Sequence, residues 1–234
     1  MYEVIWHGRG GQGVVIAAQI LAESAYLQGF KGVTSAPTFG PERRGAPLTA
    51  STRISDHPIR TFAQIEKADI AVVLDWSLFG VVDILGSLKP KGLLLINTPQ
   101  KAEEVEIEGS WNIATLDAAA VAIRFHLLKE GAPMVNTPML GVFAKASGLV
   151  SLEHLEKGLK WKLSGGAAAT NIAALRAAYE EASLKNRDRA PIISEIIGAL
   201  SLFGGNLWNP KTITSPPCAS RPSARRGRPG TGGT

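Results

Sequence analysis

Four glycines near the amino terminus have the spacing of a phosphate-binding loop, in the run Gly8-Arg9-Gly10-Gly11-Gln12-Gly13. Glycine lets the backbone approach an anion closely, and the unpaired N–H groups at the start of a helix attract negative charge. The run follows a predicted strand and opens a predicted helix, as phosphate binding requires. The acidic residue expected about 20 positions further on, which would bind a ribose hydroxyl, is missing. The run is a candidate anion site that disfavours nicotinamide, and a glycine turn that only packs a helix on a sheet explains it equally well.

A second candidate is a loop rich in proline, glycine and arginine, with the sequence Phe39-Gly40-Pro41-Glu42-Arg43-Arg44-Gly45-Ala46-Pro47. Each guanidinium can donate two parallel hydrogen bonds, so the arginine pair suits a phosphate or a carboxylate. The alternative is an ion pair between Glu42 and one of the arginines at a subunit contact. Phe39 and Glu42 are accordingly assigned to the loop itself or to an interface.

Other polar residues at predicted strand ends form no recognisable catalytic group. His7 precedes the glycine run, but no serine, cysteine or paired carboxylate adjoins it to complete a relay, which favours a structural role. Asp75 and Asn97 follow predicted strands, where they could line a site or cap the next helix. The remaining histidines lack metal-ligand spacing. We therefore predict neither a catalytic residue nor a metal site in this chain.

The elements around these candidates predict an α/β fold with a Rossmann-like, mostly parallel sheet and flanking helices. A strand at Tyr2–Trp6 and a helix at Val14–Leu27 flank the glycine run. Apolar runs at Asp69–Leu74 and Gly92–Ile96, with a helix expected at Leu78–Leu88 between them, are typical of a buried parallel β-α-β unit. Ligands of such folds collect at the carboxyl ends of the strands.

A small antiparallel excursion and four further helices complete the predicted fold. A strand at Leu48–Ser55, a turn and a short extension at Ile59–Phe62 indicate the excursion. The later helices are expected at Leu116–Glu130, Pro138–Ala146, Leu152–Leu163 and Ala167–Lys185.

Composition divides the 234 residues into a Rossmann-like domain at 1–185, an apolar helical segment at 186–208 and a basic tail at 209–234. The tail is rich in proline, glycine, serine and arginine, and such a segment is expected to be disordered. The chain has a formal net charge of +5. Five basic residues and no acid lie in the tail, so the residues before it carry no net charge. The expected domain therefore lacks the basic surface of a nucleic-acid-binding protein.

The cysteine count and the apolar segments limit which cofactors this chain could hold and where in the cell it is expected. The single cysteine, Cys218, excludes a disulfide framework and a cysteine-ligated cluster held by this chain alone. The apolar stretch 192–208 is shorter than the roughly 20 residues of a membrane-spanning helix. The amino terminus shows no signal-peptide pattern, so we expect a cytoplasmic protein that does not bind membranes.

Four motifs in order resemble one family: Trp6–Gly13, Phe39–Pro47, Arg53–Ile59 and Met139–Val150. Together they are similar to the gamma subunit, or gamma domain, of pyruvate and 2-ketoisovalerate:ferredoxin oxidoreductases, over roughly residues 1–185. Beyond residue 185 the sequence departs from the family pattern.

The resemblance implies a complex in which this chain works with alpha, beta and delta subunits and with ferredoxin. Such a complex uses thiamine diphosphate, magnesium and [4Fe-4S] clusters to convert pyruvate and coenzyme A into acetyl-CoA and carbon dioxide. The role left for this chain is assembly, access control or contact with coenzyme A. Our hypothesis is that Gly8–Gly13 and Arg43 or Arg44 face the phosphates of coenzyme A. There are two alternatives. The chain could have the same role in an enzyme for 2-ketoisovalerate or another 2-oxoacid, or it could be a stand-alone nucleotide-binding module.

Overall fold

The computed structural model describes residues 1–37, 44–61 and 63–185, which form nine strands and five α-helices. The strands are β1 (Tyr2–Arg9), β2 (Gly32–Pro37), β3 (Pro47–Ser55), β4 (Ala68–Val73), β5 (Leu88–Asn97), β6 (Asn112–Leu116), β7 (Leu128–Lys129), β8 (Ala132–Pro133) and β9 (Ser183–Lys185). The helices are α1 (Val14–Gln28), α2 (Ala118–Arg124), α3 (Asn136–Ser147), α4 (Leu152–Lys162) and α5 (Gly165–Glu181). The predicted segments 186–208 and 209–234 lie outside the described residues, and the division at 185 stays a prediction.

Seven of these strands form one sheet in the order β2-β3-β1-β4-β5-β6-β9. The central strands β1, β4, β5 and β6 are parallel, whereas β3 runs antiparallel between β2 and β1, and β9 runs antiparallel to β6. The strands β7 and β8 form a separate antiparallel pair. The predicted α/β class, with a mostly parallel sheet and an antiparallel excursion, is confirmed. The two apolar runs at its centre are continuous because β4 and β5 are covered on both faces.

The two faces of the sheet are covered differently. Side chains from all five helices pack on one face, around Trp6 and Phe143, whose ring centroids are 6.2 Å apart. The indole N–H of Trp6 donates to the hydroxyl of Thr52, so this buried donor is satisfied. The other face is covered by the chain between β4 and β5 and between β5 and β6, which contributes Leu78, Ile84 and other apolar side chains. The loops on this second face are therefore part of the core.

The helix predicted at Leu78–Leu88 is wrong. A single 3-10 turn, Trp76–Gly80, follows β4 instead, and β5 already begins at Leu88. The amide of Gly86 donates to the carboxylate of Asp83 at 2.7 Å, which closes a further turn in place of helix. The apolar residues of this stretch face the second side of the sheet, so their spacing reflects burial of a loop.

The helix predicted at Leu116–Glu130 is mostly wrong as well. The strand β6, absent from the prediction, occupies the start, and α2 ends at Arg124. His126 has φ 54°, and the amide of Leu127 donates to the carbonyl of Ala122 at 2.8 Å. This backbone reversal is the usual way in which a left-handed residue ends a helix. The β7–β8 hairpin follows.

Two smaller corrections concern the edges of the sheet. Residues Ile59–Thr61 form no strand, Phe62 lies outside the described residues, and the antiparallel neighbours of β3 are β2 and β1. The last predicted helix ends at Glu181, because the following residues leave it to pair with β6 as β9. Within residues 1–37, 44–61 and 63–185, every helix is too short or too polar to cross a bilayer.

Candidate functional site

The glycine run lies where the order of the parallel strands changes direction. From β1 the chain passes through α1 to β2 and β3 on one side of the sheet, and β4, β5 and β6 follow on the other side. Neighbouring strands β1 and β4 pair in register from Val4↔Ile70 to His7↔Val73, so both end at the same edge. In open α/β sheets the ligand crevice forms at this switch point, outside the carboxyl ends of the strands. The glycine loop thus lies at the edge of the sheet where a ligand of this fold is expected to bind.

Arg9, the last residue of β1, ties three segments together at this edge. Its Nε lies 3.2 Å from the Asp75 carboxylate, which follows β4. Its Nη2 donates to the hydroxyl of Ser77 at 2.7 Å, and its Nη1 donates to the carbonyl of Gly45 at 2.9 Å. The guanidinium is therefore occupied by protein partners and does not project toward solvent as an open anion ligand.

Asp75 is the acceptor at the centre of this network. It accepts from the Ser77 amide at 3.0 Å, the Ser77 hydroxyl at 2.6 Å and Nε2 of Gln12 at 3.0 Å. Burial raises the pKa of Asp75, but the hydrogen bonds from Ser77 and Gln12 and the charge of Arg9 together hold it below its ordinary value. Of the two predicted roles, Asp75 takes the cap, at the start of the 3-10 turn, and it also anchors the glycine loop.

The glycine loop satisfies several of its own backbone groups. The amide of Arg9 donates to the side-chain oxygen of Gln12 at 2.7 Å, and the amide of Gln12 donates back to the carbonyl of Arg9 at 3.1 Å. The amide of Gly10 donates to the carbonyl of Ala46 at 2.9 Å, and the amide of Gly45 donates to the carbonyl of Gly10 at 3.1 Å. Three N–H groups of the loop that could have faced a ligand, those of Arg9, Gly10 and Gln12, are thus already paired. The two hydrogen bonds of Gly10 with Gly45 and Ala46 fix the loop to the chain before β3.

Two glycines of the run are required by packing. A Cβ on Gly8 would stand 2.5 Å from Cγ2 of Val14, and one on Gly13 would stand 2.7 Å from Nδ2 of Asn136. Gly13 also has φ 80° and precedes α1, where no side chain caps the helix. The first turn of an uncapped helix leaves N–H groups available to an anion. Packing therefore accounts for two glycines of the run. The uncapped start of α1 remains as one feature of an anion site.

Arg44 stands beside the loop and pairs with a residue that the sequence did not reveal. Its Cγ is 4.0 Å from a Cβ built on Gly11, and its Nη1 forms an ion pair with the carboxylate of Glu130 in the turn between β7 and β8. The side chains of Arg44 and Glu130 are 68% and 60% exposed, respectively. Phe39, Glu42 and Arg43 lie outside the described residues, so their predicted roles stay predictions.

His7 is buried on the face of the sheet opposite α1. The residue is 5% exposed, and neither ring nitrogen has a hydrogen-bond partner. Burial lowers the pKa of His7 from 6.5 to about 4, so the ring is neutral near pH 7. Without a partner to orient it or to receive its proton, this ring lacks the arrangement of a general base.

Asn97 connects two elements at the same edge. Its Nδ2 donates to the carbonyl of Leu74 at 2.9 Å, and its Oδ1 accepts from the amide of Ala118 at 2.9 Å. It thus holds the end of β5 to the end of β4 and to the start of α2. Among the described residues there is no group of three or more histidine, cysteine or acidic side chains that could hold a metal ion.

Sequence reasoning missed Ser77, Glu130 and Asn136 at this edge. A partial signal for one of them existed in Gly131, because a two-residue hairpin turn with positive φ favours glycine at its second position, although glutamate is unusual at the first. No local pattern marks Ser77 or Asn136, since both reach the loop from distant parts of the chain.

A mostly parallel sheet with a glycine loop at its switch point defines a Rossmann-like α/β protein. A family model described as pyruvate ferredoxin/flavodoxin oxidoreductase matches residues 3–181. The chain belongs to this family, and the resemblance seen in its motifs is confirmed.

Named relatives agree with this assignment. The common gamma subunit of pyruvate/ketoisovalerate oxidoreductases from Pyrococcus furiosus is 46% identical over 184 residues, covering 77% of this chain and 97% of the relative. Pyruvate synthase subunit PorC from Methanothermobacter marburgensis is 45% identical over 181 residues, with coverage of 77% and 97%. The crystal structure of pyruvate oxidoreductase subunit PORC from Thermotoga maritima matches with a TM-score of 0.66 and 33% identity, covering 79% of this chain and 98% of that one.

Proposed function

We propose that this chain is the gamma subunit of a pyruvate:ferredoxin oxidoreductase. In that role it takes part in the coenzyme A-dependent oxidative decarboxylation of pyruvate to acetyl-CoA and carbon dioxide, with reduction of ferredoxin. The observation that supports this most directly is the match over 97% of the length of relatives named as gamma or PorC subunits. The proposal is therefore for a subunit of an enzyme, with the redox centre supplied by other subunits.

The residues of this chain do not fit the iron–sulfur clusters of such a complex. A [4Fe-4S] cluster needs several thiolates, and the sequence contains one cysteine. We assign thiamine diphosphate, magnesium and the clusters to the alpha, beta and delta subunits, which would carry the carbon and electron chemistry. The proposed complex is cytoplasmic, and it delivers its electrons to ferredoxin.

Within that complex, we propose that the glycine loop and the arginine loop face the phosphates of coenzyme A. The uncapped start of α1 and the exposed side chain of Arg44 beside Gly11 support this. Arg9 is committed to Asp75, Ser77 and Gly45, so it supports the shape of the site. Arg44, with Arg43 as a second candidate, is the residue that would contact a phosphate.

A second substrate is favoured by one comparison. The Pyrococcus furiosus relative is named as a subunit common to pyruvate and ketoisovalerate oxidoreductases. The present chain could therefore serve a 2-ketoisovalerate enzyme with a different set of partner subunits. The substrate is then decided by those partners, and the role of this chain is unchanged.

Assembly and activity test the subunit assignment. The full chain, tagged and purified without oxygen from its native host, should bring down larger subunits and oxidise pyruvate with coenzyme A and a viologen acceptor. Activity on 2-ketoisovalerate alone would change the substrate and keep the subunit. A lone chain that retains a nucleotide would instead identify a binding module.

Steady-state kinetics of the assembled complex test the coenzyme A contact. Arg44→Ala should raise KM for coenzyme A and leave KM for pyruvate unchanged, because only the first substrate carries phosphates. Arg124→Ala, at an exposed arginine paired with Glu181, is the matched control. An unchanged KM for coenzyme A in both Arg43→Ala and Arg44→Ala would exclude the contact.

A further inference from the structure

The carboxylate beside the glycine loop is held at the turn of a small hairpin. Glu130 and Gly131 have φ 51° and 79°, as the two central residues of a type I′ turn do. A positive φ is unfavourable for a residue with a side chain, and glutamate lacks the local hydrogen bonds that make asparagine or aspartate tolerable there. Glu130 is thus kept in a strained position from which it reaches Arg44.

The hairpin that carries Glu130 is weakly attached. The strands β7 and β8 pair through Leu128↔Pro133 and Lys129↔Ala132, and the amide of Met134 adds one hydrogen bond to the carbonyl of Leu127. Residues 128–132 are exposed. An isolated two-stranded hairpin is at best marginally stable in water. Moving it therefore costs little compared with moving any strand of the main sheet.

The backbone next to Arg44 is fixed by hydrogen bonds, whereas its side chain is exposed and held by one ion pair. Gly45 and Ala46 exchange hydrogen bonds with Gly10, of 3.1 Å and 2.9 Å, which hold this segment against the glycine loop. The Arg44 side chain itself is 68% exposed, and its ion pair with Glu130 is its contact to the hairpin. A rotation about its side-chain bonds redirects the guanidinium without moving the loop.

We propose that the Arg44–Glu130 ion pair is a latch that opens by anion exchange. An incoming phosphate group takes the place of the Glu130 carboxylate on Arg44, and the β7–β8 hairpin is released from the glycine loop. This inference rests on the proposed coenzyme A site and adds its regulation. Because the turn is strained and the ion pair is exposed, the closed state with Glu130 bound to Arg44 is only weakly stable.

The charge of the competing ligand decides the exchange. An exposed ion pair is worth about 0–1 kcal/mol, so the latch is weak. A phosphate dianion forms stronger, paired hydrogen bonds with a guanidinium and also interacts with the start of α1. A carboxylate ligand such as a 2-oxoacid gains nothing by replacing another carboxylate. The latch therefore admits phosphates and excludes the acid substrate from this position.

Titration calorimetry on the full chain, with coenzyme A and with inorganic pyrophosphate, tests the latch. Glu130→Gln should tighten both ligands roughly threefold at low salt, because it removes an exposed competitor, and the gain should shrink at high salt. In an Arg44→Ala background the same change should have no effect. Ligand addition should also speed hydrogen exchange at residues 128–133 of the wild-type chain.

Glu181→Gln is the matched control, since it breaks another exposed arginine pair, with Arg124, and should leave both affinities unchanged. If Arg44→Ala weakens binding but Glu130→Gln equals wild type, the latch is wrong and the coenzyme A site stands. If neither ligand binds to the wild type or to Glu130→Gln, the latch and the phosphate site both fail. The subunit assignment is judged separately, by assembly with the partner subunits.

Discussion

Arg9 Nε lies 3.2 Å from Asp75 Oδ2, and this ion pair joins the carboxyl ends of β1 and β4 where the ligand crevice of an α/β sheet opens. Gln12 reaches the same carboxylate from the glycine loop. The shape of the loop therefore depends on an acid from another strand as well as on its own glycines.

Asp75→Ala should destabilise the protein by about 2 kcal/mol, because it leaves Arg9, Gln12 and the Ser77 amide without their acceptor. Asp75→Asn, which keeps an oxygen acceptor, should cost less. Urea denaturation measures both free energies of unfolding. Asp56→Ala, at an exposed position, should stay within about 0.5 kcal/mol of wild type. Equal effects at the two positions would mean that the network contributes no stability.

His7 should make the protein lose stability as the pH falls from 6.5 to about 4. In this window the unfolded chain protonates its histidine and the folded chain does not, so unfolding is favoured by up to about 3 kcal/mol. His7→Leu should remove this part of the pH dependence and be no less stable at pH 7.5, since both ring nitrogens lack partners. Denaturation curves at pH 7.5, 5.5 and 4.5 measure it. Identical slopes for wild type and variant would contradict the prediction.

Arg53 should matter for stability at the opposite, amino edge of the parallel strands. Its side chain is 8% exposed, and it donates to Glu3 at 3.1 Å and to the carbonyl of Ala63 at 2.6 Å. Arg53→Met should cost about 2–3 kcal/mol, because Glu3 loses its closest counter-charge and keeps Lys89 at 3.4 Å. Thermal or urea unfolding reports the loss. The control is Arg60→Met, at an exposed position. A similar loss of stability there would show that removing any positive charge has this effect.

Gly158→Ala should destabilise the contact between α1 and α4. A Cβ at this position would stand 2.1 Å from the hydroxyl oxygen of Ser24, and overpacking of this kind costs about 1–3 kcal/mol. The double variant Gly158→Ala with Ser24→Ala should recover part of the loss. Gly166→Ala, in the open first turn of α5, should be neutral or stabilising. Equal free energies of unfolding for the two glycine variants would contradict the packing argument.

The sequence by itself determined the features that depend on neighbouring residues. One such feature is the glycine run between a strand and a helix, and another is the pair of continuous apolar runs that form β4 and β5. These local patterns are typical of buried parallel strands in an α/β sheet. The motifs that resemble the family are likewise contiguous stretches. These features determined the fold class and the family, and they predict the position of the candidate site.

Only the tertiary structure decided which distant side chains meet. Arg44 pairs with Glu130 at a separation of 86 residues, and Gln12 with Asp75 at 63. The stretch from Leu78 to Leu88 was misjudged for the same reason, since its apolar residues cover the second face of the sheet and form no helix. Such contacts depend on which strands become neighbours, and that order is set by the burial of the whole core. No local spacing carries this information.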